Sequence, residues 1–400
     1  MPKERESALP GQESGPEPEL APRPKPWPEP DSRHEDVHAG REQADWSDRY
    51  SRQMRFAPIG PAGQGRLAAA RVLIVGCGAL GASLAQHMVR AGVGEVHIAD
   101  RDFVEPSNLQ RQMLFDEADA LAALPKAAAA ADKLRRINSE IRIEPYVIDV
   151  TEDAASRLAA GVDLVLDGTD NAKTRLLLSD VCYRYGIPFL YGGVAGAQGM
   201  SAMLVPGETA CLRCLIGSDE EESGETCDTL GVISPIVELI AAMQAAEALK
   251  WLSGDKNARR RTWVTANLWP YGVTEAVLPK PTASCRQCGS AHHGENITAK
   301  RAEQGTYSPR AASLCGRDTI QVTLEHSLNL TAMRQTLSSL GFEVTANPYL
   351  VRAQLPGGER LVLFSDGRIL VQGTQDAEHA LALCALYVQE GYDTERSSTG

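Results

Sequence analysis

The chain predicts an α/β fold: a doubly wound, Rossmann-like, mostly parallel sheet followed by a small C-terminal α+β domain. Three observations predict it. From Arg71 onward, short apolar runs alternate with helical stretches, the pattern of parallel strands covered on both faces. The turn Gly76-Cys77-Gly78-Ala79-Leu80-Gly81 joins the first such run to the first such helix. Late in the chain, Ser365-Asp366-Gly367-Arg368 separates two apolar runs, a hairpin signal foreign to a doubly wound sheet.

The elements follow in order. Val72-Leu73-Ile74-Val75 reads as a buried strand, and a helix is expected over 82–91. Val96-His97-Ile98-Ala99 is a second strand, ending at Asp100. An alanine-rich helix is expected over 125–137, and Ile141-Arg142-Ile143 opens another strand. Leu164-Val165-Leu166-Asp167 is a further strand that runs out into polar residues. Ser234-Pro235 opens a long apolar helix over 234–252, with serine as the cap and proline in the first helical position. Glu238, Glu247 and Lys250 interrupt it too closely for a membrane span, so a buried or subunit-contact helix is expected.

The domain boundaries come from composition. Residues 1–45 alternate Pro22, Pro24, Pro26, Pro28 and Pro30 with polar residues, and have too little apolar surface to order themselves. Residues 46–290 are expected to form the large domain that holds the glycine turn and the cysteine pairs, 291–312 a linker and 313–400 the small C-terminal unit. In that unit Thr319-Ile320-Gln321-Val322, Leu361-Val362-Leu363-Phe364 and Ile369-Leu370-Val371-Gln372 read as strands. Helices are expected over 331–340 and 377–390. A net charge of -12 argues against a nucleic-acid partner. No apolar run suits a signal peptide or a bilayer, so no membrane association and a cytoplasmic location are expected.

The chemistry concentrates around the glycine turn. Gly76 permits a tight turn, Gly78 lets backbone approach phosphate, and Gly81 lets helix pack on strand. The helix start that follows offers free N–H donors to an anion. Asp100 stands where a carboxylate meets ribose hydroxyls. Asn108 and Arg111, three apart, share a face if their segment is helical. Lys126 lies near the start of the next helix, and Asp170 and Asn171 just past a strand end. An amide and two cations there suit a triphosphate, and Asp170 suits Mg²⁺ bridging its oxygens. An NAD-linked oxidoreductase would explain the turn and Asp100 but leave Arg52, Arg111 and Lys126 idle.

Of the 9 cysteines, four form the pairs Cys211-x-x-Cys214 and Cys285-x-x-Cys288. Four thiolates suit tetrahedral Zn²⁺, and with no spare ligand or base the site reads as structural. Cys77, Cys182, Cys315 and Cys384 read as structural residues. His87 reads as a packed or exposed histidine, and His292-His293 as loop.

Taken together these residues resemble the ubiquitin-activating-type adenylyltransferases, the family of the ThiF, MoeB and HesA proteins. The resemblance spans Arg49 to Cys288. It rests on Arg49-Tyr50-Ser51-Arg52-Gln53, the glycine turn, Ser107-Asn108-Leu109-Gln110-Arg111-Gln112, Leu124-Pro125-Lys126, Asp167-Gly168-Thr169-Asp170-Asn171, both cysteine pairs and Thr226-Cys227-Asp228-Thr229. The C-terminal unit is similar to the extension on some bacterial ThiF-like proteins. One departure is Ala79, where the family commonly has glycine.

The resemblance implies an enzyme that uses ATP to adenylate the C-terminal glycine of a ubiquitin-like sulfur carrier ending in Gly-Gly. It implies Arg111 and Lys126 on the phosphates, Asp100 on ribose, Ser107 and Asn108 on the nucleotide and Asp170 on Mg²⁺. Arg52 resembles an arginine finger that reaches into a partner subunit, which implies a homodimer. Cys227 matches a cysteine linked to sulfur handling, although its neighbours Glu225 and Asp228 would raise a thiol pKa. A related enzyme acting on a small molecule, a peptide or a tRNA base would share most of these residues.

Overall fold

The computed structural model describes residues 48–217, 230–289, 310–313 and 318–388. The proline-rich segment 1–45, Cys227, Cys315 and His292-His293 lie outside the described residues.

An eight-stranded sheet forms the body of the chain, in the order β3-β2-β1-β4-β5-β6-β7-β8. Its parallel part comprises β1 (Arg71–Val75), β2 (Glu95–Asp100), β3 (Arg142–Val147), β4 (Leu164–Asp167) and β5 (Phe189–Ala195). β6 (Gln198–Leu204), β7 (Thr262–Leu268) and β8 (Tyr271–Val277) extend it antiparallel. Alternate residues feed two cores. Val72, Ile74, Leu164 and Leu166 face one layer, while Leu73, Val75 and Val165 face the other. That alternation is why β1 and β4 read as continuous apolar runs.

The helices α1 (Ser51–Arg55) and α2 (Gly60–Ala69) precede the sheet. α3 (Ala79–Ala91), α4 (Glu117–Leu121) and α5 (Lys126–Ile137) follow β1 and β2. α6 (Glu152–Ala159), α7 (Ala172–Tyr185) and the short α8 (Leu212–Ile216) come next, and α9 (Ser234–Ser253) packs against α2, α3, β5 and β6. Among the described residues, no helix is long and apolar enough to cross a membrane.

Three helix starts differ from expectation. α3 begins at Ala79, not near residue 82, because Gly78 is its N-cap, so the fingerprint itself opens the helix. Pro125 caps α5 from outside. For α9 the cap is Ile233, with Ser234 and Pro235 already helical and no side-chain cap bond. Proline tolerates either early position because its missing N–H has no intrahelical partner there.

The C-terminal unit is a six-stranded antiparallel sheet, ordered β11-β12-β13-β14-β10-β9. Its strands are β9 (Arg310–Ser313), β10 (Thr319–Thr323), β11 (Glu343–Ala346), β12 (Leu350–Gln354), β13 (Arg360–Phe364) and β14 (Arg368–Gln372). The helices α10 (Leu330–Ser339) and α11 (Ala377–Tyr387) complete it. β9 falls inside the stretch expected to be linker, because it pairs with β10 as an edge strand. Val322, Val351, Leu361, Leu363, Ile369 and Val371 share a core with Met333, Leu337, Ala380 and Cys384 of the helices. The opposite face, Leu350, Val362, Phe364 and Leu370, packs on Phe103 and Ala123 of the large domain. An apolar contact therefore joins the two sheets.

Candidate active site

The strand order reverses between β1 and β4, and ligands of doubly wound sheets bind in the crevice at that point. Both lips of the crevice are glycine. Gly76 leaves β1 with φ +83°, and a Cβ there would lie 2.6 Å from the carbonyl carbon of Gly168, just past β4. A side chain at Gly81 would collide with the Gly76 carbonyl, which is why helix and turn close so tightly. Gly78 is different: a Cβ would meet only Gln112 Nε2, at 3.7 Å. No side chain caps α3. Its first N–H groups open on a cradle fit for an anionic ligand.

Asp100 closes β2 beside this turn, 9% exposed. Its Oδ2 accepts the Cys77 N–H at 2.5 Å and its Oδ1 the Asp102 N–H at 2.6 Å. Burial pushes its pKa up, with Lys126 opposing and Asp102 adding to the rise. The same carboxylate so ties the glycine turn to the segment that follows β2.

That segment is a short ladder. Lys126 N–H donates to the Asp102 carbonyl at 2.9 Å and Val104 N–H to the Leu124 carbonyl at 2.8 Å. Lys126 is 3% exposed, and its Nζ sits 3.2 Å from Asp102 Oδ2. Arg101 reaches Asp149 Oδ1 at 3.3 Å. Burial alone would lower the Arg101 pKa, but Asp102, Asp149, Asp170 and Asp100 surround it and hold it up.

Residues Pro106–Asn108 make a 3₁₀ turn, and a further helical turn follows, with the Asn108 carbonyl accepting the Arg111 N–H at 3.1 Å and the Gln112 N–H at 2.9 Å. Asn108 is 3% exposed and turns back, its Oδ1 accepting the Glu105 N–H at 3.1 Å. Arg111 is half-buried and donates to the Ser107 carbonyl at 3.0 Å. Ser107 is exposed. A capping box between Glu105 and Asn108 thus opens these turns.

Beyond β4, Asp170 is exposed and Asn171 caps α7, its Oδ1 accepting the Thr174 N–H at 2.8 Å. Asp167 is fully buried, and burial raises its pKa against the pull of Arg175. Arg175 Nε stands 3.3 Å from Asp167 Oδ2, and its Nη2 donates to the Thr169 carbonyl at 2.6 Å. Sequence reading passed over Arg101, Asp102 and Arg175. The Asp-Arg-Asp run was visible, but only its first member fits a fingerprint. Arg175 sits on the first turn of α7 and folds back on the end of β4, a return that no spacing rule signals. Arg52 is exposed on α1.

The four cysteines meet away from the crevice, with all their sulfurs within 4.8 Å of one another. Cys211 Sγ lies 3.8 Å from Cys214 Sγ and 3.7 Å from Cys285 Sγ, and Cys214 Sγ is 3.8 Å from Cys288 Sγ. Ligands about 2.3 Å from a tetrahedral zinc stand about 3.8 Å apart, so the donor set fits that ion. Burial pushes the Cys211 thiol up and the Cys214 thiol up to about 11. Burial opposes ionisation of Cys285 too, but N–H donors of Cys288 and Gln287 hold it at about 7.

The ThiF family profile matches residues 50–287. The chain belongs to the ThiF family. Its relatives include the sulfur carrier protein ThiS adenylyltransferase of Bacillus subtilis, 42% identical over 339 residues, or 84% of this chain and 97% of that protein. The sulfur carrier protein adenylyltransferase of Thermus thermophilus is 37% identical, over 60% of this chain and 90% of that protein. Among solved structures, Escherichia coli MccB with ATP superposes with a TM-score of 0.53 at 22% identity, over 60% of this chain and 74% of that one. That likeness concerns the fold. The ThiF-type region thus takes in the crevice and three of the four cysteines, ending one residue before Cys288, and the B. subtilis match is too long to be held within it.

Proposed function

We propose that this chain is an ATP-dependent adenylyltransferase that activates the C-terminal carboxylate of a ubiquitin-like sulfur carrier, of the kind used in thiamine and molybdopterin synthesis. The observation that carries the reading is the match to the B. subtilis ThiS adenylyltransferase along nearly its whole length. The crevice has the matching chemistry. A carrier carboxylate attacks the α-phosphorus of ATP, the bond to the β-phosphate oxygen breaks, and acyl-adenylate and pyrophosphate result. Two anions approach each other in that step. At about 4 Å and an effective dielectric near 20 their repulsion is about 4 kcal/mol, so cations must already be in place.

Arg111, Lys126 and the partner subunit's copy of the exposed Arg52 supply that charge, and Ser107, Asn108 and Asp100 orient the nucleotide. Mg²⁺ held by Asp170 neutralises phosphate oxygens when bound. Zn²⁺ on Cys211, Cys214, Cys285 and Cys288 pins two distant segments together. The assembly is a homodimer, because Arg52 has its work in another subunit's site. The carrier ends in Gly-Gly, a tail thin enough to thread toward a nucleotide. The seven described cysteines are all unpaired by disulfide, which fits the reducing cytoplasm. A nicotinamide enzyme has no step that needs Arg111 and Lys126 together.

ATP–pyrophosphate exchange, with and without a purified Gly-Gly carrier, tests the reading. Carrier-dependent exchange is expected. Nucleotide binding with no exchange on any Gly-Gly-ending sulfur carrier, ThiS included, overturns it.

A further inference from the structure

We infer that the C-terminal sheet is a clamp on the nucleotide crevice, and that Arg368 is its positioning residue. This rests on the adenylation reading above. The inference starts from where the contacts between the two sheets fall. Four polar side chains of the C-terminal unit donate across the boundary. Arg368 reaches the carbonyls of Arg101 at 3.2 Å and Val147 at 3.5 Å. Gln321 reaches Asp149 Oδ2 at 3.4 Å, and Gln372 reaches Glu105 Oε1 at 3.3 Å. Asn347 donates to the carbonyls of Ala122 and Ala123, each at 3.0 Å. All of these acceptors belong to the stretch between the end of β2 and the start of α6, the stretch that carries Asp100, Asp102, Asn108, Arg111 and Lys126.

Each contact has a consequence for the crevice. Asp100 and Val147 are paired residues at the ends of β2 and β3. Arg368 therefore spans two adjacent strand ends, holding the carbonyl that directly follows Asp100. Its guanidinium is 4% exposed, bound to Asp366 at 2.7 Å and 4.4 Å above the Phe364 ring, so it is a fixed donor. Asp149 is shared between Gln321 and Arg101. Glu105 is the residue that caps the turn bearing Ser107 and Asn108.

Ala123 gives an independent sign of constraint. It has φ +48°, a left-handed conformation costly for alanine, and is fully buried. It stands just before Leu124-Pro125-Lys126. Asn347 holds its carbonyl, and Leu350, Val362, Phe364 and Leu370 cover it together with Phe103. The C-terminal sheet thus holds a strained corner closed, and that corner presents the buried Lys126–Asp102 pair.

The test is direct binding of the non-hydrolysable analogue α,β-methylene-ATP with Mg²⁺, by calorimetry on the full chain. Arg368→Met keeps the apolar contact with Phe364 and removes both carbonyl donors. We expect its Kd to rise about tenfold, equivalent to about 1.4 kcal/mol, at a temperature where circular dichroism shows the protein fully folded. Arg368→Lys, with one donor restored, recovers part of the loss. Gln372→Ala, which leaves Arg368 in place, raises Kd roughly threefold. An exposed C-terminal variant remote from the crevice, His379→Ala, binds as the wild type does. If Arg368→Met fails to fold, Gln372→Ala and Asn347→Ala decide the matter alone. Folded variants with unchanged Kd overturn the clamp and leave adenylation standing, whereas wild-type protein that does not bind the analogue overturns both.

Discussion

Gly76 and Gly168 touch so closely that neither can carry a side chain. A Cβ on Gly76 would lie 2.6 Å from the Gly168 carbonyl, and one on Gly168 would lie 2.5 Å from the Gly76 carbonyl oxygen. The contact joins the ends of β1 and β4 and so sets the width of the crevice. Gly168→Ala is expected to force the two turns apart and weaken α,β-methylene-ATP binding at least about tenfold, because a well-packed site absorbs an added methyl only at a cost of about 1–3 kcal/mol. Calorimetry with the nucleotide measures it, and wild-type affinity would show that the lips have room to yield.

Arg111 is only half-buried and hydrogen-bonded to its own turn, so its removal should spare the fold. Arg111→Ala is expected to slow ATP–pyrophosphate exchange about a hundredfold or more, the usual cost of one donor that stabilises transition-state charge. Near-normal exchange in the folded variant would remove Arg111 from the phosphates.

Cys211 is fully buried in the sulfur cluster and links it to the tyrosine-bearing end of α7. Cys211→Ser should lower bound zinc, read by atomic absorption, and lower the melting temperature, since metal binding to such a site is folding free energy. Equal zinc content in wild type and variant would mean that the four thiols hold no ion.

Cys227 has its test in a separation of steps. Cys227→Ala is expected to leave ATP–pyrophosphate exchange intact while abolishing any thiol-dependent covalent complex with the carrier, visible on a non-reducing gel. Lost exchange in a soluble, folded variant would give this cysteine a part in adenylation instead.

His97 makes stability depend on pH. It lies on β2 with Nε2 2.6 Å from Glu95 Oε1, among Arg71, Arg142 and Glu144. Burial lowers its pKa below 6.5, against the pull of Glu95. The unfolded chain therefore binds the proton first as pH falls, so stability drops below about pH 6.5 and stops dropping below the folded value. Urea midpoints at pH 7.5 and pH 5.5 should differ less in His97→Gln than in wild type. An equal difference would place the sensitivity elsewhere.

The legible parts of the fold were those with local periodicity. β1 and β4 are continuous apolar runs because both their faces are covered, β2 keeps Val96, Ile98 and Ala99 buried around His97, and α5 announces itself through an alanine face packed on the sheet. β5, β6 and β8 were hidden: Tyr191-Gly192-Gly193 and Gln198-Gly199 break the apolar pattern, and β8 is largely exposed, with Tyr271 and Val277 facing solvent. The Asn108–Arg111 interval falls on a single turn, closed by the Arg111 N–H on the Asn108 carbonyl, too short to fix side-chain directions by periodicity. There the Glu105 capping bond decided where Asn108 points.

The sequence by itself determined the glycine turn, the acid at the end of β2, the placing of Lys126 at a helix start and the two cysteine pairs. Each is a matter of a few neighbouring residues, for which backbone sterics and hydrogen-bonding leave few alternatives. Only the tertiary structure decided that Gly76 meets Gly168, that the two cysteine pairs converge, and that Arg368 lies across the ends of β2 and β3. Those contacts join residues far apart in the chain. Their geometry follows from strand order and from how one sheet's apolar face settles on another domain, which no local pattern encodes.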